Sequence, residues 1–176
     1  AGDFFGPRAG NNWFSQGLVK PGQSVRSVLY PGAPGVGHQW SYLPDVARTM
    51  LQLLAMRATL PAFARFHMAG HWDHDGRQMT GAIVRVVKQA TGTTPAIRRF
   101  PWWLVALASP FVATLREMRE MRYLWQTPLR MENARLLAAL GQEPHTPLDE
   151  AVRASLEGMG NLDAAGKKNA PGLPAR

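Results

Sequence analysis

The sequence predicts a mixed α/β fold, and three observations carry that reading. Residues 38–57, HQWSYLPDVARTMLQLLAMR, run from an extended segment through a proline into an amphipathic helix. Residues 64–69 and 76–90 then read as a strand followed by a second amphipathic helix. Helix, strand and helix in that order, with short loops between them, are the pattern of a layered α/β structure.

Residues 1–23 carry turn signals at Gly6-Pro7, Gly10-Asn11-Asn12 and Pro21-Gly22, and Trp13, Phe14, Leu18 and Val19 between them fit a short helix with one apolar side. Residues 24–30, SVRSVLY, alternate as a strand does, and residues 31–37, PGAPGVG, are a loop. In the helix that follows, Pro44 has no amide to leave unpaired at a first helical position, and Asp45 sits where the dipole favours a negative charge. Val46, Met50, Leu53 and Leu54 form its expected buried face, with Asp45, Thr49 and Gln52 turned away. Pro61 ends the pattern, residues 64–69 are the next strand, and residues 70–76 are a loop. Asp75 with Gln78 supplies a capping box for a helix buried along Met79, Ile83, Val86, Val87 and Ala90 and stopped at Gly92. Residues 96–100 are a short strand, and two helical pieces, 102–107 and 111–124, are broken at Pro110. In the second piece Phe111, Leu115 and Met118 line one side. Residues 132–140 form a further helix. Thr146, Pro147 and Asp149 are the expected cap of a last helix that buries Leu148, Val152 and Leu156. One unit, residues 1–160, is therefore expected, with a disordered tail over 161–176.

Composition narrows the function classes. An apolar share of 45% fits a folded chain, and the lack of cysteine removes disulfides, thiolate metal sites and a cysteine nucleophile. A reducing, cytoplasmic setting is the expectation. The N-terminal stretch has no basic region followed by an apolar run, and the most apolar segment, residues 100–115, is short and interrupted by prolines, so no membrane association is expected. The net charge of +8 attracts anions, but its arginines are scattered and form no block alternating with aromatics, so nucleic acid is not an expected partner.

Chemistry-bearing clusters are few. His67, His71, Asp73, His74 and Asp75 combine imidazole and carboxylate, the donors of zinc or iron, yet match no metal-binding spacing, and no metal is expected. No serine lies in a GxSxG elbow. His38, Ser41 and Asp45 crowd one strand-to-helix turn, where a relay is not easily built. Glu117 and Glu120 sit among arginines as a solvent face. Trp102 and Trp103 fit core packing, a ligand site or a partner surface.

Four segments in order resemble the second half of the extended short-chain dehydrogenase/reductases of the NAD-dependent epimerase/dehydratase type. They are Asp3-Phe4-Phe5-Gly6-Pro7, the Asp-Val-Ala element within residues 38–47, residues 66–70 with 76–90, and residues 129–156. The resemblance implies an incomplete Rossmann-like sheet with a mainly helical substrate-binding lobe. It implies that Phe4, Phe5, Gly6 and Pro7 lie near the nicotinamide of NAD or NADP, and that Asn11, Asn12, Tyr30, His38, Trp40 and Arg130 line the pocket of a small-molecule substrate. In nucleotide-sugar members arginines hold the diphosphate, whereas Trp102, Trp103 and Trp125 point here to a less polar substrate.

The family's glycine-rich fingerprint and its Tyr-x-x-x-Lys pair are both absent: Tyr30 is followed by Pro34, Tyr42 by Val46 and Tyr123 by Thr127. The proton donor and the main cofactor cradle are thus missing. The expectation is a substrate-side portion without catalytic residues or tight cofactor binding of its own, whose partner is an N-terminal Rossmann half. Strand edges near residues 26 and 66 would lie open, so self-association is expected. The alternative expectation is a non-enzymatic ligand-binding or interaction module using the Trp102/Trp103 surface.

Overall fold

The computed structural model describes residues 2–10 and 12–162. Five strands are present among them: β1 (Asp3–Phe5), β2 (Ser27–Tyr30), β3 (His38–Tyr42), β4 (His71–Asp73) and β5 (Ala96–Arg99). The helices are α1 (Leu43–Ala55), α2 (Gln78–Thr91), α3 (Trp102–Ala108), α4 (Ala113–Glu120), α5 (Ala134–Leu140) and α6 (Leu148–Gly158), with a short π-helix at Phe14–Leu18. The mixed α/β class is as expected.

β3 is the centre of a three-stranded sheet. β1 lies parallel to it, with Asp3 opposite Trp40 and Phe5 opposite Tyr42. β4 runs antiparallel on the other side, with His38 opposite Asp73 and Trp40 opposite His71. All five residues of β3 are buried, as a strand covered on both faces requires. β2 and β5 pair in parallel as a separate ribbon. Phe5, Phe14, Trp40, Ile83, Val86, Trp125 and Leu156 belong to one hydrophobic core that joins the sheet to α2 and α6. Each such side chain contributes roughly 1.5–3 kcal/mol by leaving water.

Several elements differ from expectation, each for a visible reason. Residues 64–69 form no strand. The side chain of Gln39 donates to the carbonyls of Met68 and Ala69, both at 2.7 Å, and Glu143 accepts from the amides of Ala69 and Gly70 at 2.9 and 2.7 Å. Side chains thus take the backbone groups a ladder would have used, and the strand forms at His71–Asp73, within the expected loop. Asp73, not Asp75, holds the start of α2: its carboxylate accepts from the amides of Gln78 and Met79 at 3.1 and 3.0 Å. Asp75 accepts from the amide of Arg77, which holds its carboxyl below the usual range. Ala90 is exposed, so the buried stripe of α2 ends at Val87, and Gly92 stops the helix in the left-handed region, with φ 72°.

α1 is turned over. Asp45 and Thr49 are its buried residues, while Met50, Leu51 and Leu54 face outward. The Asp45 carboxylate accepts from the amide and hydroxyl of Thr146, at 2.7 and 2.8 Å, which pins the polar face inward. Thr146 therefore does not cap α6, and Asp149 bonds Arg85 instead of a helix amide. α4 ends at Glu120 and passes into a 3-10 turn, Met121–Trp125, and it buries none of its own side chains. Asn161 is buried and donates to the carbonyls of Lys20 and Gln23, both at 2.7 Å, so residues 161 and 162 are tied to the body. The rest of the expected tail, 163–176, lies outside the described residues.

Candidate functional site

Trp125 is the hub. Its ring is buried at the end of the 3-10 turn and stacks on His38, with centroids 3.8 Å apart and planes at 9°. Tyr30 meets the same ring edge-on at 5.8 Å, and Trp13 and Trp40 pack on it at 5.3 and 5.8 Å. Residues from β2, β3 and the turn after α4 thus meet at one indole, which turn signals and helix periodicity in the sequence do not disclose.

Two pockets open nearby, and Trp125 itself lines the first. The first, about 160 Å³, is lined by Asp3, Trp13, His38, Leu124, Trp125 and Met131 among others. Its polar feature is an imidazole–carboxylate pair: His38 Nε2 and Asp3 Oδ2 lie 2.8 Å apart. The register sets Asp3 across from Trp40, two residues along from His38, so adjacent parallel strands bring the two side chains together. Gln39 closes the floor by accepting from the amide of Met131 at 2.7 Å. The second pocket, about 440 Å³, has Tyr30, Trp102 and Trp103 as aromatic walls and Arg99 and Arg122 as cationic ones. Trp102 donates through Nε1 to the carbonyl of Pro31 at 2.7 Å, and the Arg122 guanidinium lies 5.4 Å from its ring. Such a cavity suits a ligand with a flat apolar body and a negative group.

Tyr30 is the most constrained of the expected residues. A Cβ at Gly32 would stand 2.5 Å, and one at Gly76 2.6 Å, from its side chain, so the ring occupies a slot that only glycines leave open. Its hydroxyl is buried with no hydrogen-bond partner among the described residues. Burial, then the charges of Asp73 and Asp75, raise its pKa, so the phenol stays protonated.

The other expected residues scatter. Trp40 is wholly buried in the core beside this site. Arg130 is exposed, with its guanidinium 5.7 Å from the Trp72 ring rather than in either pocket lining. Asn12 accepts from the amide of Ser15 at 2.9 Å, closing the turn before the π-helix. Asn11 lies outside the described residues. Of the four residues assigned to the nicotinamide, Phe5 is core and packs on Phe14 and Tyr42, whereas Phe4 is 43% exposed. Gly6 follows at the end of β1, where an added Cβ would lie 3.3 Å from Leu43 Cβ at the start of α1, and Pro7 packs against Gly158. His38, Ser41 and Asp45 form no relay: His38 pairs with Asp3, and Ser41 accepts from the amide of Gly2 at 2.9 Å. Asp3 and Gln39 were missed as site residues because their placement depends on strand register, and Trp13 because it depends on packing against the distant Trp125. Among the described residues no helix is long and apolar enough to cross a membrane.

No protein-family model matches the chain, and no curated protein matches it. Solved structures of other proteins do resemble it in part. RMD from Pseudomonas aeruginosa, complexed with NADPH, is 18% identical with a TM-score of 0.46, over 84% of this chain and 38% of that one. A UDP-galactose 4-epimerase is 13% identical with a TM-score of 0.49, over 94% and 44%. WbmH from Bordetella bronchiseptica, in complex with NAD+, is 13% identical with a TM-score of 0.49, over 96% and 44%. The chain therefore spans less than half the length of each.

Proposed function

We propose that this chain is the substrate-binding portion of an NAD- or NADP-dependent oxidoreductase or epimerase and does not turn substrate over by itself. The observation that supports it best is the convergence of Tyr30 and His38, two residues assigned to the substrate pocket from sequence, on the single ring of Trp125, each of the two also lining a pocket. The substrate enters with an apolar body against Tyr30 and Trp102 and a negative group toward Arg99 and Arg122. His38, held by Asp3, offers a polar contact at the smaller pocket.

A nicotinamide cofactor, when bound in the complete protein, supplies hydride transfer. This chain meets it along the exposed Phe4 and the Gly6-Pro7 turn, which make one apolar edge and no phosphate cradle. The outward Met50, Leu51 and Leu54 of α1 form a surface suited to an N-terminal Rossmann half. Titration of the purified chain with NADH and NADPH tests the reading. No saturable binding is expected, and micromolar affinity or turnover of either cofactor by this chain overturns it.

A second reading, an interaction module, draws on a different observation. Trp103 is 68% and Phe111 88% exposed on the α3–α4 pair, beside the exposed Leu107 and Tyr123. Saturable binding of a partner that is lost in Phe111→Ser, a residue outside both pocket linings, is the outcome that favours it.

A further inference from the structure

We propose that Asp45, His71 and His145 form a binding site for a divalent transition-metal ion of the zinc class, tying α1, β4 and the α5–α6 loop together. Each residue offers one ligand atom, and these atoms all lie within 4.8 Å of one another. They come from the first turn of α1, the start of β4 and the loop before α6, three elements far apart in sequence. A four-coordinate zinc with bonds of ~2.0–2.1 Å needs ligand atoms ~3.3–3.5 Å apart. His145 is the exposed member of the three and the one with room to adjust.

Two of the ligands are buried and waiting. His71 is 8% exposed, and its Nε2 is buried with no hydrogen-bond partner among the described residues. A buried polar atom left in that state is costly unless something else pairs with it. A metal ion is a partner for the lone pair of a neutral imidazole. The two imidazoles converge, with ring centroids 4.4 Å apart and planes at 44°, without stacking flat.

Asp45 is 4% exposed. Its Oδ1 accepts from the Thr146 hydroxyl and from Arg48, while its Oδ2 accepts from the Thr146 amide. A carboxylate oxygen has two lone pairs, so Oδ2 keeps one for a metal. The same bonds fix Thr146, and therefore its neighbour His145, against α1, as outer-shell contacts orient a metal ligand. Glu143 does likewise for His71 by holding the amides of Ala69 and Gly70. Arg48 is the opposing charge at the rim, bonded to Asp45 and to the Thr146 hydroxyl, with its side chain more than half exposed, so a bound metal would compete with it for the Asp45 carboxylate.

Two imidazoles with one carboxylate suit zinc and its transition-metal neighbours, whereas calcium and magnesium require oxygen donors. The solvent-facing side at His145 leaves room for a water as fourth ligand. The histidine-aspartate cluster visible in the sequence around residues 67–75 contributes only His71 to this site.

The test is calorimetric titration of the full, untagged chain with zinc chloride, with magnesium chloride in parallel. One zinc per chain and no magnesium response are expected. The thermal midpoint should rise by roughly 5–10 °C at a hundredfold excess over Kd. His145→Ala tests the assignment without disturbing the core: zinc affinity should fall at least roughly tenfold, with the metal-free midpoint unchanged. His145→Cys, which restores a ligand, should recover binding and give cobalt a thiolate charge-transfer band. His74→Ala should titrate as the parent chain does. Zinc binding unchanged in His145→Ala, lost in His74→Ala, or absent below millimolar zinc overturns the proposal.

Discussion

Replacing Glu143 by alanine removes the acceptor of three hydrogen bonds at once: the amides of Ala69 and Gly70, and Nδ2 of Asn133 at 2.7 Å. Hydrogen bonds to a charged group contribute about 1.5–3 kcal/mol each, but these share one side chain and are not additive. The three donor residues are partly buried, so water recovers some of the loss. The net cost of Glu143→Ala should therefore be about 2–4 kcal/mol. Glu143→Gln keeps one carbonyl oxygen and turns an amide group toward the other donors, and should cost about half as much.

Urea unfolding at neutral pH measures both variants, with the slope of the transition unchanged if only stability moves. Hydrogen exchange gives the local readout: the amides of Ala69 and Gly70 should exchange faster in both variants, and those of α2 should keep their relative protection. A Glu143→Ala variant within about 0.5 kcal/mol of the parent would show that these amides are satisfied by water in solution. Equal losses in the alanine and glutamine variants would show that carboxylate geometry is not what holds residues 68–70 out of a strand.

Two further outcomes follow from surface features. Arg85 and Asp149 make a paired contact, 2.9 and 2.6 Å, which raises the arginine and lowers the carboxyl pKa. Both side chains are about half exposed, so Asp149→Asn should cost no more than about 1 kcal/mol at pH 7. A carboxyl lowered in the folded state stabilises above its unfolded pKa and ceases to do so as pH falls through its folded one. The gap between parent and Asp149→Asn in pH-dependent denaturation should thus be constant near neutrality and close below about pH 4; a gap that widens in acid refutes the pairing. The isolated chain should self-associate through α1, and Leu51→Glu with Leu54→Glu should weaken association at least roughly tenfold by sedimentation, since a charge in an apolar contact is left unpaired. Association abolished by Trp103→Ser instead would move the contact to the α3–α4 surface.

Legibility in the sequence followed the range of the interaction. Pro44, Gly92 and Gly141 mark helix boundaries through local backbone rules, and the structure has helices α1, α2 and α5 beginning or ending there. The buried stripe of α2 was readable as well, because a helix packed on both a ribbon and α6 must present Met79, Ile83 and Val86 inward. Capping was not readable. Asp73 wins the start of α2 over Asp75, and Asp149 leaves α6 for Arg85, because each choice depends on a strand register or a partner helix that local sequence does not encode. The pockets were half legible: Tyr30 and His38 came from resemblance to a family motif, while Asp3 and Gln39 reach the site through pairing along β3 and Trp13 through packing on Trp125.

The inversion of α1 shows why periodicity misled. The hydrophobic pattern does describe one apolar face, but it does not say which neighbour covers that face. Asp45 has two donors on Thr146 to satisfy, so the polar face is locked to this chain by directional bonds. Met50, Leu51 and Leu54 carry no directional requirement and are left for whatever surface meets them. The helix thus carries a hydrogen-bonded inner face and an apolar outer face. Turning it by half a revolution to bury the leucines here would strand the Asp45 carboxylate and the Thr146 amide, at roughly 1–3 kcal/mol for each unpaired group. The polar anchor therefore sets the orientation of α1, and the same anchor places Asp45 beside His71 and His145.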